Sequence, residues 1–483
     1  MSAHEELPKP TSSFVEVADL EKQPNQETKE VLESDYVVDK LAERRLLRRM
    51  DIRIVPITMF IYLLCFIDRS NIGNAKVLNS NTGDSLVQTL HITNQQYLAA
   101  LMLFVVSYTL FETPSNYMLK KFRPSRWLAL LMFSWGAMTL LLGSVTNFGG
   151  LAGVRFLLGA FEAGLFPGMV YFLTFWYTPR ERAVRIALIL ACATLAGAFG
   201  GSIAFGVGHM NGVRGLAAWR WLFLIEGAPS CVFSVVVFFA LPDYPETARW
   251  LSPEERALAT NRIKGDASLG HVKIVWADAR ATLLDWRLYL HYLVYISVSV
   301  PFSSLSLFAP TIIQGLGYEG LRAQLFTVPP YAAAFVVTVF VAWLSDRYEA
   351  RSHGAFWSLI IAGVSFIVQG ALPSTAFKAR YGMLCVAASF SFASIPPLLS
   401  WLTANLRGTG AATLAVPLNV SIGQIGQIIG IYIYKANEAP GYPTGHYVNA
   451  GFLLGGALVV LALRHVYNKR NRALEAGEKL WRL

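Results

Sequence analysis

Charged residues are scarce in this chain. Asp, Glu, Lys and Arg supply 15% of its 483 residues and hydrophobic residues supply 54%, whereas a soluble domain has about 25% charged residues. The few cysteines all fall in apolar stretches and predict no disulfide framework: Cys65, Cys192, Cys231 and Cys385. No CxxC, HExxH or Walker sequence is present, and the histidines lack metal-ligand spacing. The sequence therefore predicts an integral membrane protein, and it offers no motif for an enzyme, a metal site or a cofactor.

Twelve apolar stretches are long enough for a bilayer, which a helix crosses with about 20 apolar residues. They lie near 52–76, 95–119, 127–146, 150–177, 182–209, 219–241, 287–314, 323–346, 355–373, 380–403, 411–436 and 447–468. Basic residues follow the second and fourth stretches, but the loop 77–94 has no Lys or Arg. Because Lys and Arg are enriched in cytosolic loops, both termini are predicted to be cytosolic. The net charge of +10 is explained by the same flanking cations and predicts no nucleic-acid partner.

A hydrophilic stretch divides the twelve apolar stretches six and six, as in transporters built from two repeated halves. The predicted organisation is a cytosolic tail, an N-terminal six-helix half, a cytosolic linker, a C-terminal six-helix half and a second tail, over 1–49, 50–241, 242–286, 287–470 and 471–483. Residues 1–34 are polar and predicted to be disordered. Residues 35–50 predict a basic amphipathic helix on the cytosolic surface.

Four charged residues lie inside the first and fourth stretches. Asp68 and Arg69 belong to the first, while Arg155 and Glu162 belong to the fourth, where a spacing of seven places them on one helical face. At 1.5 Å per residue, Asp68 and Arg155 each lie about 9 Å from the outer edge of a ~30 Å core, and Glu162 lies near the midplane. Charges at this depth usually face the bundle interior and mark a substrate or ion path.

Several short motifs carry a family resemblance. Asp346 and Arg347, followed by Arg351, resemble the loop motif of the major facilitator superfamily, although Ala342 replaces its leading Gly. Five further segments are similar to fungal anion:cation symporters of the allantoate and nicotinate permease type: FIDRSNIGNA at 66–75, ETPSN at 112–116, EAGLFPG at 162–168, WRWLFLIEG at 219–227 and LPDYPETARWLSPEER at 241–256. The resemblance covers about 45–470. It implies an all-α membrane fold of twelve transmembrane helices, with Asp346, Arg347 and Arg351 in a gating loop.

The resemblance also implies roles for the intramembrane charges. In related organic-anion symporters, the acids that match Asp68 and Glu162 are associated with proton coupling, and the arginines that match Arg69 and Arg155 with substrate binding. A guanidinium is always charged and offers a two-pronged donor suited to a carboxylate. Glu162 lies farther from the arginines than Asp68 does, so we expect Glu162 to be the acid that is protonated when no substrate is bound.

The eleventh stretch adds polar residues at helical spacing. Asn419 and Gln424, with Gln427 one turn further, are predicted to contact substrate. The alternative is that they form hydrogen bonds between helices, beside the glycines of the same stretch.

The charged residues likewise have a structural alternative, in which the ion pairs Asp68–Arg155 and Arg69–Glu162 fix the first helix to the fourth. Two other acids are less clear. Glu112 either joins the charged network or relieves a backbone kinked at Pro114. Glu226 follows Arg220 by six positions and is expected to be its packing partner.

These features predict a secondary active transporter in the plasma membrane, monomeric, that takes up a small organic anion together with protons. The anion would be a carboxylate, a vitamin or a nitrogenous acid. One alternative is an exporter of a metabolite or drug, although exporters of the superfamily tend to carry Gly-Pro-x-x-Gly in the fifth span, where this chain has AGAFGG at 196–201. Another alternative is a nutrient-sensing homologue, which long cytosolic extensions would favour.

Overall fold

The computed structural model describes residues 26–264, 280, 282–318, 320–406, 409–473 and 480–482. Within these residues the secondary structure consists of α-helices and short 3-10 turns, without β-strands. Eleven segments have the length and hydropathy of membrane spans. The 24-residue helix Thr409–Tyr432 lies where the sequence predicts the remaining span. The predicted all-α membrane fold is therefore confirmed.

The spanning helices are numbered 1 to 12 in chain order. They are Gln26–Val77, Asn94–Lys121, Pro124–Leu142, Phe148–Thr174, Pro179–Gly208, Ala218–Ala240, Trp286–Gly315, Leu321–Arg347, Arg351–Ala371, Phe377–Ala404, Thr409–Tyr432 and Pro443–Arg472. Helix 4 is interrupted at Ala163 and Gly164, and helix 10 at Ser394. The predicted grouping into two six-helix halves stays a prediction.

Helix 1 begins earlier than the sequence pattern suggests. Residues 26–34, predicted to be disordered, form its first turns, so that prediction is wrong for this part; residues 1–25 lie outside the described residues. The segment 26–50 contains neither Pro nor Gly and is rich in Glu, Lys, Arg and Leu, which are good helix formers. Residues from Asp51 onward form one compact unit, and this unit contains the site described below.

Reciprocal side-chain hydrogen bonds fix where several helices begin. At helix 2, the backbone N–H of Gln96 donates to the Thr93 hydroxyl at 3.2 Å, and the Thr93 N–H donates to the Gln96 side chain at 2.9 Å. Ser252 and Glu255 make the same exchange before the short helix Pro253–Lys264. These capping boxes satisfy N–H groups that a helix leaves without partners.

Two glycines bring helix 4 against helix 2. A Cβ atom added to Gly159 would lie 2.2 Å from the Ser107 hydroxyl, and one added to Gly164 would lie 1.8 Å from the Ser115 hydroxyl. Larger residues at these positions would therefore push the helices apart. This close approach sets the position of the first part of helix 4, which carries Arg155 and Glu162.

The first six helices contact the last six at the end of the bundle where the 78–93 connection lies. There the Gln324 side chain donates to the backbone carbonyl of Asn74 at 3.1 Å, and the Gln314 side chain donates to the Ser80 hydroxyl at 3.0 Å. On helix 5, a Cβ atom added to Gly201 would lie 2.0 Å from the hydroxyl of Thr327. The first six and the last six helices are therefore in contact at this end of the bundle, and the contact requires a residue as small as Gly201.

Candidate transport site

A central cavity lies between the first six and the last six helices. Glu162 on helix 4 and Arg69 on helix 1 line it, together with Gln424 and Gln427 on helix 11. Its volume, measured for the centres of water-sized spheres, is about 60 Å³, enough for roughly four to six waters. This conformation therefore encloses space for a group about as large as a single six-membered ring.

A second, smaller cavity adjoins the first and contains both arginines. It is lined by Arg69 and Arg155, by Gln427, and by Ser303 on helix 7, and its volume by the same measure is about 20 Å³. The two cavities share Arg69 and Gln427 in their walls. Residues of helices 1, 4 and 11 therefore line this smaller cavity together.

Both guanidinium groups lie over the ring of Phe104 on helix 2. The guanidinium carbon is 4.9 Å from the ring centroid for Arg69 and 4.8 Å for Arg155. A cation over an aromatic face gains about 0.5–2 kcal/mol, more as water is excluded. Phe104 therefore offsets part of the repulsion between two positive charges that are held close together without an anion.

The charged groups of the site are not paired with one another. No ion pair between described residues joins Asp68 or Glu162 to Arg69 or Arg155. Nε and Nη1 of Arg155 are buried without an acceptor, and the carboxylate of Glu162 interacts with the Cys65 thiol and, at longer range, with both arginines. The structure therefore does not contain the two ion pairs of the structural alternative, and it leaves hydrogen-bonding capacity open at the cavities.

Arg69 instead donates to a neutral acceptor on the opposite side of the cavity. Its Nη2 donates to the side-chain oxygen of Gln427 on helix 11 at 2.6 Å. Gln424 lines the central cavity, whereas Asn419 is buried and lines neither cavity. Of the three helix 11 residues predicted as substrate contacts, Gln424 and Gln427 line a cavity and Asn419 does not.

Asp68 lies beside Arg69 in the sequence but away from both cavities. The Ser230 hydroxyl on helix 6 donates to Asp68 Oδ2 at 2.6 Å, and the Trp135 side chain of helix 3 also interacts with this carboxyl group. Asp68 is completely buried and lines neither cavity. The structure therefore separates the two predicted proton-coupling acids: Glu162 faces the substrate space and Asp68 faces helix 6.

Glu112 and Glu226, two further acids inside the spans, lie in different surroundings. Glu112 on helix 2 accepts a hydrogen bond from the Ser421 hydroxyl on helix 11 at 2.8 Å, so it contacts the opposite set of helices. Arg220 donates to the carbonyl of Gly143 at 2.9 Å, and Glu226 is buried with both carboxylate oxygens unpartnered. The expected packing of Glu226 on Arg220 is therefore wrong.

The predicted gating-loop residues lie where helix 8 ends and helix 9 begins. Nε of Arg351 donates to Asp346 Oδ1 at 3.2 Å, and Arg347 is exposed. This ion pair is partly exposed and fixes the short connection between the two helices. Among the described residues, no group of three or more His, Cys, Asp or Glu side chains is placed to hold a metal ion.

Apart from Tyr295, a weaker candidate on the seventh apolar stretch, sequence reasoning did not identify the aromatic lining of the central cavity. The rings that line it come from helices 1, 2, 4 and 7 and belong to Tyr62, Phe66, Tyr108, Phe166, Tyr295 and Phe302. Aromatic residues are abundant throughout the chain, at 13%, so their number at one site gives no signal. Helical spacing on helix 1 could have linked Tyr62, Phe66 and Arg69 to one face.

Comparison with known proteins agrees with this architecture. The model of the Major Facilitator Superfamily matches residues 58–431. The chain is 54% identical over 448 residues to "MFS transporter prlL" of Fungal sp. (strain NRRL 50135), covering 92% of this chain and 90% of that protein. It is 34% identical over 435 residues to the "Putative tartrate transporter" of Agrobacterium vitis, covering 89% and 93%.

Among solved structures, the fold resembles a bacterial homologue of the human lysosomal transporter Spinster in an inward-facing, unoccupied conformation. The TM-score is 0.65 at 18% identity, over 86% of this chain and 97% of that one. The chain belongs to the Major Facilitator Superfamily. It is an integral, multi-pass membrane protein and a secondary transporter, and it is not an enzyme.

Proposed function

We propose that this transporter takes up a small organic anion together with protons, by alternating access. The observation that carries the proposal is the pair Arg69 and Arg155, which share the ring of Phe104 and face one cavity without a carboxylate partner. Arg155 is buried and Arg69 is partly buried, and cations that are taken out of water without an ion-pair partner are costly. An anion in this cavity would supply the missing charge and accept the unpaired N–H groups of Arg155.

Glu162 supports proton coupling because it lines the cavity that adjoins the arginines. An ionised Glu162 would repel an incoming carboxylate, whereas a protonated Glu162 would not. Proton binding on this side chain would therefore favour anion binding, and release of the proton would favour anion release. Asp68, which accepts from Ser230, is proposed as a second proton-coupling residue.

The class of substrate follows from charge and size. The relative from Agrobacterium vitis that is named a putative tartrate transporter supports a carboxylate, and the motif resemblance supports the allantoate and nicotinate permease group. The central cavity, with room for roughly four to six waters in this conformation, suits a small molecule. These points favour anion uptake over drug export. Plasma-membrane location, cytosolic termini and a monomeric state belong to the same proposal.

Uptake of labelled compounds by cells that express the full chain tests the proposal. The panel comprises tartrate, allantoate, nicotinate, pantothenate and biotin, each offered at acidic and neutral external pH. We expect at least one anion to accumulate, faster at acidic pH, and a protonophore to abolish the accumulation. If the protonophore leaves the accumulation unchanged, proton coupling is contradicted. If the expressing cells contain less of the labelled compound than control cells do, the exporter is favoured.

A further inference from the structure

Glu226 is a buried acid for which the transport site provides no role. It lies on helix 6 with 3% of its surface exposed, and neither carboxylate oxygen has a hydrogen-bond partner. Arg220, the nearest cation along the same helix, lies with its guanidinium over the ring of Trp219 and donates to the backbone. An ionised carboxylate in this position would be strongly disfavoured. Burial without a donor therefore favours a neutral carboxyl group at Glu226.

Asp68 faces the same part of helix 6. Ser230, which donates to Asp68 Oδ2 at 2.6 Å, follows Glu226 by four positions and thus lies one turn away on the same helical face. The Trp135 side chain of helix 3 also interacts with the Asp68 carboxyl group, and Asp68 and Glu226 interact electrostatically. Two neighbouring buried carboxyl groups cannot both ionise at low cost, so they titrate as a pair.

Close contact between helices 3 and 6 isolates this pair from lipid. A Cβ atom added to Gly136 on helix 3 would lie 2.9 Å from the backbone nitrogen of Cys231, and one added to Gly227 would lie 2.9 Å from that of Leu140. The backbones of the two helices therefore touch beside Glu226. Such contact leaves no room for a lipid chain to reach the acid.

The charged groups of the neighbouring helices do not neutralise Glu226. Helix 1 contributes Asp68, and helix 6 itself contributes the Cys231 thiol, which lies 3.7 Å from the carbonyl of Phe133. On helix 3 the one charged residue is Arg126, which is exposed in the first turn. On helix 5 the charged residues all lie in the first turns, at the N-terminal end of the helix. Glu162 acts on Asp68. No described cation therefore faces Glu226.

We propose that Glu226 and Asp68 form a proton-binding pair that lies outside both cavities, whereas Glu162 lines the central cavity. The proposal rests on the proton coupling proposed above and assigns Asp68 a partner. A proton on this pair would add to the one on Glu162, so a monoanion would cross with one net positive charge. A membrane potential of 100 mV would then increase its accumulation about 50-fold, whereas a single coupling proton would give no such increase.

Infrared spectroscopy of the full chain reconstituted in lipid tests the pair without any transported compound. Protonated carboxyl groups give a C=O band that ionised ones lack. We expect the wild type to show this band at neutral pH and Glu226→Gln to lose the intensity of about one carboxyl group. Asp68→Asn should remove one of the two titration steps of the pair, and Ser230→Ala should shift the band of Asp68.

Glu254→Gln is the matched control, because Glu254 is exposed on the linker helix and should leave the band unchanged. A band of equal intensity in wild type and Glu226→Gln, each monodisperse after purification, would overturn the proposal. If Glu226→Gln does not fold, Ser230→Ala decides, since an unshifted band there contradicts the contact with Asp68. Failure of proton-coupled uptake in the panel would refute the proposed function instead, because the infrared result does not depend on transport.

Discussion

Replacing Arg155 with Lys tests the binding role of the site while keeping its charge. Arg155 is 1% exposed, and its Nε and Nη1 lack acceptors, so both N–H groups are free to donate to an anion. An ammonium is a point charge and lacks the planar fork that makes two parallel hydrogen bonds. The substitution therefore removes at least one hydrogen bond to a charged acceptor.

The expected magnitude follows from that single lost bond. A hydrogen bond to a charged group contributes about 1.5–3 kcal/mol, and each 1.4 kcal/mol corresponds to a factor of ten. The half-saturation concentration for the transported anion should rise roughly ten- to 150-fold in Arg155→Lys. Removal of the charge in Arg69→Gln should cost more, about 2–5 kcal/mol, because it leaves a charged partner without a counter-ion.

The assay is the concentration dependence of uptake of the anion found in the panel, corrected for the amount of carrier at the cell surface. Arg126→Lys serves as the control, since Arg126 is exposed at the start of helix 3 and should behave as wild type. Unchanged half-saturation in both Arg155→Lys and Arg69→Gln would refute the binding role. A fall in thermal stability without a change in half-saturation would assign both arginines to structure.

Three further outcomes are expected. Glu162→Gln should still exchange labelled for unlabelled anion but should lose accumulation driven by external acid, because no proton is released inside; retained pH dependence would transfer the role to Asp68. Cysteines at the exposed positions Asn81 and Glu254 should react with an impermeant reagent on intact cells at 81 and not at 254; the reverse pattern would invert the topology. Gly201→Ala should lower the melting temperature because the added Cβ atom clashes with Thr327. Gly206→Ala is the control and should not lower it, since its Cβ atom meets nothing within 4 Å. Equal effects of the two substitutions would contradict the close contact of helix 5 with Thr327.

The sequence predicted the charged residues of the site and the helices that carry them. Charges are so costly in a bilayer that their presence in an apolar stretch already indicates an interior position. Helical spacing then placed Arg155 and Glu162 on one face, and the structure brings both to the adjoining cavities. Capping residues such as Thr93 were equally visible, because their hydrogen bonds are local.

The partners of these residues could not be predicted, because they come from other helices. The contact of Ser230 with Asp68 joins residues 162 positions apart, and that of Gln427 with Arg69 joins residues 358 apart. In the sequence, nothing distinguishes Phe104 from the other apolar residues of helix 2. Its role becomes apparent only in the structure, where both guanidinium groups lie over its ring. Proximity in sequence predicts a contact between Glu226 and Arg220, but the direction of the Arg220 side chain brings it to the backbone carbonyl of Gly143.

Because Arg69 already donates a hydrogen bond to Gln427, the Gln427 side chain competes with a ligand for the Arg69 guanidinium. An anion that binds Arg69 must displace an amide oxygen already held at 2.6 Å. A carboxylate is a stronger acceptor than an amide and gains from the exchange, whereas a neutral analogue replaces one amide by another and gains nothing. Selection against uncharged analogues therefore needs no steric exclusion. In Gln427→Leu this bond need not be broken, so nicotinate and its amide should both inhibit uptake at lower concentrations while the ratio between them stays the same; unchanged inhibition by both would show that the ligand does not displace Gln427.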